Sequence, residues 1–265
     1  MLRSRCYLDL EDGGSEFRKP GLIQKISDQI LVKVFDHACS SGAFIASEYL
    51  RRETRIKKVM PYYGTLRKIN TAFRDWQEGK RRVMFGGTLV QGAGTAAIME
   101  AVFRLHTDYP LIASQYVFFI TGFGAQAESL KTFSEQFDRA YVEFKGNMSV
   151  ADFHDMMQGV HIGLNIRDRA FLLAHVSFPS KVLDITSYGQ LLISTSASDV
   201  MKIFNLENIL LLDDMEDLAG SLVEKLIWVA QNRHVAAEMA ARNQTDMAYR
   251  FSRSKTAQEV IEFIQ

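Results

Sequence analysis

The sequence has 265 residues, of which 47% are hydrophobic and 23% charged, as in an ordinary soluble globular protein. At about 150 residues per domain, this length predicts roughly 1.8 domains. The 31 basic residues balance 31 acidic ones, so the chain lacks the net positive charge of nucleic-acid-binding proteins. Two cysteines, Cys6 and Cys39, give no disulfide framework and indicate a reducing, cytoplasmic compartment.

Residues 1–80 predict about half of an α/β domain. Apolar residues at helical spacing over 20–37 predict a helix, and the runs at 43–46 and 59–61 predict two short strands. The polar segment 70–82 is a predicted linker, with Trp76 as an apolar anchor.

From residue 81 onward, strands and helices alternate. Short, almost continuously apolar runs predict the strands, at 82–85, 116–120, 141–144, 160–164, 191–194 and 209–212. Helical patterns lie between them, around 98–105 and at 125–137, after Ser149, at 179–187 and at 199–204, and two or three long helices follow. This alternation predicts a Rossmann-like parallel sheet, covered by helices on both faces, over residues 81–250.

The first of these strands ends in a glycine-rich segment. Gly86, Gly87 and Thr88 follow it directly, and glycines at such a turn let a phosphate approach the backbone closely. The spacing does not match the G-x-G-x-x-G dinucleotide motif, and an ordinary strand-to-helix turn explains the glycines equally well.

The segment 177–189 is the most informative one for chemistry. Pro179 suits the first turn of a helix, and the free N–H groups there, with Lys181, form a potential anion site. Asp184 lies one turn later on the face that Ser180 shares, where a carboxylate can accept hydrogen bonds from sugar hydroxyls. The alternative is a helix that begins at a proline and carries a solvated lysine.

Four segments in this order resemble the C-terminal half of a GT-B glycosyltransferase: the Gly86-Gly87 strand end, 120–124, 142–146 and 178–189. The resemblance is to retaining "group 1" (family 4-like) enzymes, whose Phe-Pro-Ser-Lys-x-x-Glu-Tyr-x-x-x-Gly signature has Asp184 and Ile185 here in place of Glu and Tyr. It implies a donor domain at 81–250, an N-terminally truncated acceptor domain at 1–80, and a helix at 251–265 that packs back on the N-terminal part.

The resemblance also implies roles for individual residues. Gly86, Gly87 and Thr88 would face the donor diphosphate. Ser180 and Lys181 would hold a phosphate, and Asp184 would bind the ribose. Arg167 and Arg169, in the loop before Phe178, would join Lys181 in stabilising the leaving diphosphate, although two arginines in a solvated loop are equally consistent with the sequence.

The implied mechanism is electrostatic. The protein stabilises the developing negative charge of the diphosphate and needs no nucleophile, cofactor or metal beyond the nucleotide-sugar donor. The sequence departs from the family at three positions: Thr88 and Ala93 stand where the family has Arg and Lys, and Val176 replaces its first Glu. These losses leave a non-catalytic partner subunit or remnant as the alternative to an active enzyme.

Three further features each allow two interpretations. Asp9, Glu11 and Asp12 could border the acceptor site or lie on a solvated strand end. The basic run 51–58 could contact anionic lipid at the inner face of the membrane or form a solvated helix end. His154 and His161 are close in sequence, but the predicted strand at 160–164 contains His161 and argues against a metal pair.

The stripe of Phe153, Met156 and Met157 predicts core packing. The resemblance implies transfer of a sugar from a nucleotide-diphosphate sugar to a glycan or lipid-linked acceptor in polysaccharide or cell-envelope synthesis. A further partner chain could complete the N-terminal domain.

Overall fold

The computed structural model describes residues 7–10, 41–54, 56–66, 74–171, 173–213 and 216–265. The helix predicted over 20–37 lies outside these residues, as do Glu11, Asp12 and both cysteines. The described residues form two sheets, one of three strands and one of six, and every strand pair in them is parallel.

The smaller sheet contains the strands β1 (Tyr7–Leu10), β2 (Gly42–Ile45) and β3 (Val59–Pro61), in that order. Helix α1 (Glu48–Glu53) follows β2, and Ser47 caps it by accepting a hydrogen bond from the Leu50 amide. The strands predicted at 43–46 and 59–61 are thus present. We call the described part of 7–66 the first unit.

The larger sheet has the order β6-β5-β4-β7-β8-β9. Its strands are β4 (Arg81–Thr88), β5 (Tyr116–Phe123), β6 (Val142–Gly146), β7 (Ile162–Asn165), β8 (Leu191–Ser194) and β9 (Leu210–Leu211). The chain moves outward from β4 to β6, then crosses back and moves outward on the other side from β7. The strand order therefore reverses between β4 and β7, where doubly wound folds bind their ligands at the carboxyl ends of the strands.

Helices cover both faces of this sheet and continue to the carboxy terminus. They are α2 (Thr95–Asp108), α3 (Pro110–Ala113), α4 (Ala127–Ser134), α5 (Val150–Gly159), α6 (Leu173–Val176), α7 (Lys181–Ser187), α8 (Val200–Ile203), α9 (Leu218–Gln231), α10 (Arg233–Arg250) and α11 (Arg253–Ile264). We call residues 81–250 the second unit.

Two apolar cores lie on the opposite faces of the larger sheet. Side chains alternate along β4, so Val83 and Phe85 pack in one cluster and Met84 in the other. The first cluster includes the predicted helical stripe of Ile98, Ala101, Val102 and Leu105, all fully buried. The central strands β7 and β8 are buried along their whole length, as their continuous apolar sequences predict, whereas β6 and β9 at the edges are only partly buried.

The boundaries of several elements differ from the predicted ones. Strand β4 does not end before Gly86-Gly87 but continues to Thr88, because its pairing with β5 extends to Thr88 opposite Phe123. The helix predicted over 125–137 is shorter, Ala127–Ser134, and β9 has two residues.

The last helix, α11, lies against the smaller sheet. The Phe263 ring is 5.2 Å from that of Phe44, and the Tyr7 hydroxyl donates to the Ile264 carbonyl oxygen at 2.8 Å. In the linker, Trp76 is buried in the first apolar cluster of the second unit. Across the described part of the chain, no helix has the length and hydrophobicity needed to span a bilayer.

Candidate functional site

A cleft of about 750 Å³ opens at the carboxyl ends of β4 and β5 and runs between α5 and α7. The strand ends and the turn after β6 contribute Gly86, Gly87, Thr88, Thr121, Gly122, Phe123, Asn147 and Met148. The two helices and the floor contribute Val150, Phe153, His154, Met157, Gln158, Lys181, Asp184, Ser187, Tyr188 and Met84. The cleft lies beside the point where the strand order reverses.

The β4 edge of the cleft requires glycine. A Cβ atom on Gly86 would lie 2.6 Å from Thr121 Cγ2 and 2.8 Å from the Thr121 carbonyl oxygen, so no side chain fits there. Gly87 has φ of +122°, a conformation that residues with side chains rarely adopt. Gly87 is exposed and has open space beside it, so its backbone is accessible to a ligand in the cleft, whereas Gly86 is buried against Thr121.

Helix α7 presents its polar face to the cleft. Lys181 and Asp184 are three residues apart, so they lie on one side of the helix, and both line the cleft. The Lys181 ammonium donates to the Gly86 carbonyl oxygen at 3.3 Å and lies 5.7 Å from the centre of the Phe85 ring. A cation is thereby fixed against the glycine edge, about one helical turn from a carboxylate.

The environment of Lys181 changes its acidity. Burial, with a smaller contribution from the charge of Arg167, lowers the pKa of Lys181 from 10.5 to about 7. Although the residue as a whole is partly exposed to the cleft, its ammonium group is shielded by protein on most sides. An anion bound beside it would stabilise the charged form and raise this pKa.

Three of the residues predicted for the site do not line the cleft. Ser180 is exposed and directly precedes helix α7. Arg167 follows β7 and donates from Nη1 to the Ser177 carbonyl oxygen at 2.7 Å, close enough for its charge to act on Lys181. Arg169 is exposed in the same loop, and its carbonyl oxygen is 3.0 Å from His175 Nε2.

The three departures from the family pattern have different surroundings. Thr88 lines the cleft and is exposed, whereas Ala93 lies in the loop before α2 and does not line it. Val176 is buried, and its carbonyl oxygen accepts a hydrogen bond from the Ser47 hydroxyl at 2.6 Å. The position of the missing glutamate therefore contributes to packing between the first and second units.

One wall of the cleft, α5, was not recognised from the sequence. Phe153 and Met157 were predicted to be core residues, and they do pack in the second apolar cluster, but both also line the cleft. The signal that could have shown this is the repeat of Val150, His154 and Gln158 at four-residue spacing, a second face on the same helix.

Tyr188 is the other residue that sequence reasoning missed. It is only 7% exposed and lines the cleft, and its buried hydroxyl has no hydrogen-bond partner among the described residues. Buried hydroxyls normally find a partner, so this hydroxyl is a candidate for contact with a ligand.

The two histidines lie far apart. His154 lines the cleft, whereas His161 lies at the amino end of the central strand β7. There it accepts a hydrogen bond from the Arg82 amide at 3.1 Å and pairs with the Asp75 carbonyl oxygen at 3.0 Å. Burial is the main cause that lowers the pKa of His161 to about 4 and keeps it neutral. No group of three His, Cys, Asp or Glu residues suited to a metal occurs in the described part of the chain.

The remaining candidate features lie in the first unit. Asp9 is exposed on β1. Arg51 and Arg52, in the basic run, are exposed and pair with Glu48 at 2.7 and 3.7 Å. These contacts fit a solvated helix end and do not test the predicted lipid contact.

No protein-family model matches the sequence, and no curated protein matches it significantly. Solved structures do resemble the fold. TarM from S. aureus, in complex with fondaparinux, α-GlcNAc-glycerol and UDP, superposes with a TM-score of 0.72 at 10% identity, over 98% of this chain and 51% of TarM. HepE from Anabaena, in complex with UDP-glucose, gives 0.73 at 15% identity, over 98% of this chain and 72% of HepE.

A third similar structure is the C-terminal domain of LpcC from Francisella tularensis, a glycosyl transferase group 1 family protein. It gives a TM-score of 0.51 at 17% identity, over 64% of this chain and 85% of that domain. This chain spans about half the length of TarM. The similarity confirms the fold predicted from the sequence: the chain has the α/β architecture of GT-B glycosyltransferase structures.

Proposed function

We propose that this protein is a glycosyltransferase that binds a nucleoside-diphosphate sugar in the cleft between α5 and α7. It transfers the sugar, with retention of configuration, to a glycan or lipid-linked acceptor. The observation that carries the proposal is that residues distant in the sequence meet in one cleft. Gly86, Gly87, Thr88, Lys181 and Asp184 are separated by almost 100 residues in sequence and line one cleft at the switch point of the sheet.

Each wall of the cleft suits one part of such a donor. The strand end at Gly86-Gly87 leaves space for a diphosphate, and the Lys181 ammonium offers positive charge where that anion would lie. Asp184 can accept hydrogen bonds from the ribose hydroxyls. Apolar side chains such as Phe123 and Phe153 suit the flat face of the base.

The chemistry requires stabilisation of the leaving group. As the bond between the sugar and the diphosphate breaks, negative charge grows on the diphosphate, and a protonated Lys181 beside it lowers the barrier. The acceptor hydroxyl then attacks on the face that the diphosphate leaves and gives its proton to an oxygen of the departing diphosphate, so no protein nucleophile is needed. Arg167 adds positive charge to the same region, although by itself this charge lowers the Lys181 pKa, so the bound diphosphate must keep Lys181 protonated.

The proposal is tested by isothermal titration with UDP, GDP and ADP. We expect saturable binding of at least one of them, and at least a tenfold loss of affinity in Lys181→Ala and in Asp184→Ala. The matched controls, Lys131→Ala and Asp108→Ala, replace exposed residues outside the cleft and should bind as the parent does. If the parent binds none of the three nucleotides, the proposal is wrong.

A second function is favoured by Val176, which stands where the resemblance expects a glutamate. A chain that binds nucleotide but lacks this carboxylate could serve as the partner subunit of a catalytic glycosyltransferase. Release of nucleoside diphosphate from UDP-glucose by the isolated protein separates the two functions. Turnover that is lost in Lys181→Ala supports the enzyme, whereas binding without any turnover supports the partner subunit.

The acceptor and the cellular location follow from the same proposal. A lipid-linked acceptor would place the protein at the inner face of the membrane, and a soluble glycan would not. Flotation with vesicles of anionic lipid, compared between the parent and Lys57→Glu, distinguishes the two.

A further inference from the structure

A buried carboxylate outside the cleft connects the two units. Asp199 is only 4% exposed, and it lies in the loop between β8 and α8 of the second unit. Its Oδ2 accepts hydrogen bonds from the Glu48 amide at 2.8 Å and from the Tyr63 hydroxyl at 2.7 Å, both of which belong to the first unit.

The side chain of Asp199 does not serve its own helix. An aspartate that precedes a helix normally accepts a hydrogen bond from an amide of the first turn. Asp199 precedes α8, yet it makes no such bond, and its carboxylate points to the first unit instead. The only local partner of the carboxylate among the described residues is Lys202, at 3.2 Å.

The backbone next to Asp199 supports this orientation. Ser198 has φ of +52°, and it is the only non-glycine residue with positive φ in the described part of the chain. Its amide donates to the Ala174 carbonyl oxygen at 2.6 Å. A serine in this sparsely populated region persists when surrounding contacts hold it, and such residues concentrate at functional positions.

Tyr63 and Glu48, the partners of Asp199 in the first unit, are both suited to donate hydrogen bonds to its carboxylate. The centre of the Tyr63 ring lies 4.8 Å from that of Phe178, and Phe178 is close in sequence to the start of α7. Burial, and then the hydrogen bond to Asp199, raise the pKa of Tyr63, so its hydroxyl remains a donor. The Glu48 amide is at the start of α1, where an incoming carboxylate is favoured by the helix dipole.

The loop between β8 and α8 also contacts the loop that carries Arg167, near the cleft. Thr195, at its start, accepts a hydrogen bond from the Arg167 amide at 3.1 Å. The contacts to the first unit and the contacts to the arginine loop are therefore made within five residues, 195–199.

We infer that Asp199, with Glu48 and Tyr63, forms a latch that fixes the orientation of the first unit over the second. Asp199 is a positioning residue and does not touch the donor. The inference rests on the proposed function only in one respect, namely that the first unit must be held in place for an acceptor to reach the cleft. Without the latch, the Ser47 hydrogen bond to Val176 and the burial of Leu66 in the second apolar cluster still join the units, but their relative orientation is held less tightly.

The test measures distances between spin labels on the two units. Labels at Lys57→Cys and Lys131→Cys, in a background with Cys6 and Cys39 replaced by serine, report one distance distribution for the parent. Both labelled lysines are exposed and lie outside the cleft and the latch. In Asp199→Asn, which keeps the shape but removes the charge, we expect the distribution to become at least twice as wide.

Tyr63→Phe keeps the ring contact with Phe178 and removes one hydrogen bond, so it should widen the distribution less. If Asp199→Asn does not fold, the comparison of Tyr63→Phe with the parent still tests the latch. Asp108→Asn is the control and should leave the distribution unchanged. Equal widths in the parent, Asp199→Asn and Tyr63→Phe would overturn the latch.

Binding of UDP to the same variants separates this inference from the proposed function. We expect the affinity of Asp199→Asn for UDP to remain within twofold of that of the parent, because the latch lies outside the cleft. A parent that binds no nucleotide contradicts the proposed function, while the distance distributions still decide the latch. A tenfold loss of UDP affinity in Asp199→Asn would show that Asp199 shapes the cleft itself, which contradicts the inference.

Discussion

Replacing Lys181 with methionine should stabilise the unliganded protein while it abolishes nucleotide binding. The folded protein holds the Lys181 pKa at about 7, whereas its ordinary value is 10.5. At about 1.4 kcal/mol per pKa unit, the charged form is disfavoured by roughly 5 kcal/mol at most. Water in the cleft screens part of this cost, so we expect Lys181→Met to gain about 1–3 kcal/mol at pH 6.

The pH dependence of this gain has a definite sign. Below pH 7, Lys181 is charged in both the folded and the unfolded chain, so the parent carries the full cost of burying the charge. As the pH rises from about 7 towards 10.5, the folded protein has already released this proton while the unfolded chain retains it, and the cost declines. At pH 9, the gain from Lys181→Met should be less than half of its value at pH 6.

Urea unfolding of the parent, Lys181→Met and Lys131→Met at pH 6 and pH 9 measures this difference. Lys131 is exposed and pairs only loosely with Glu128, at 3.8 Å, so its replacement should change the free energy of unfolding by less than about 0.5 kcal/mol at either pH. If the parent is as stable as Lys181→Met at pH 6, the burial of the ammonium group has been misjudged, and the reasoning fails.

The remaining predictions concern ligand binding and the scaffold around the site. Binding of a nucleoside diphosphate at pH 7 should raise the Lys181 pKa and take up about half a proton, so the binding enthalpy should differ between Tris and phosphate buffers; identical enthalpies would contradict this. Gly86→Ala should lower the free energy of unfolding by about 1–3 kcal/mol, measured in urea, because its methyl group would overlap Thr121. Tyr116→Phe should cost about 1–3 kcal/mol in the same assay, because the buried Tyr116 hydroxyl donates to the Leu226 carbonyl oxygen at 2.6 Å; an unchanged midpoint would show that water replaces this bond.

The sequence predicted the alternating part of the fold closely. Continuous apolar runs are buried on both sides of a parallel sheet, and the run at 191–194 coincides with β8. The glycine pair was less informative, because glycines after an apolar run usually end a strand. Here β4 continues through Gly86 and Gly87, since the neighbouring strand β5 pairs with it over the same length.

The polar face of α7 was also predictable, but the other wall of the cleft was not. Lys181 and Asp184 lie one turn apart in any helix, so their common face follows from sequence alone. Ser180, just before this helix, is exposed and does not line the cleft, which the sequence alone does not show. His154 and Tyr188 face the cleft only because α5 and α7 pack side by side on the sheet, which is a tertiary relation that no local pattern encodes.

Hydrogen–deuterium exchange with and without a saturating nucleoside diphosphate tests the central claim most directly, because it reports both binding and location. The account predicts that ligand slows exchange in peptides that cover 84–88 and 181–188, and leaves α2 unchanged. Protection confined to other parts of the chain, or no protection by any of UDP, GDP and ADP, would contradict a donor site in this cleft.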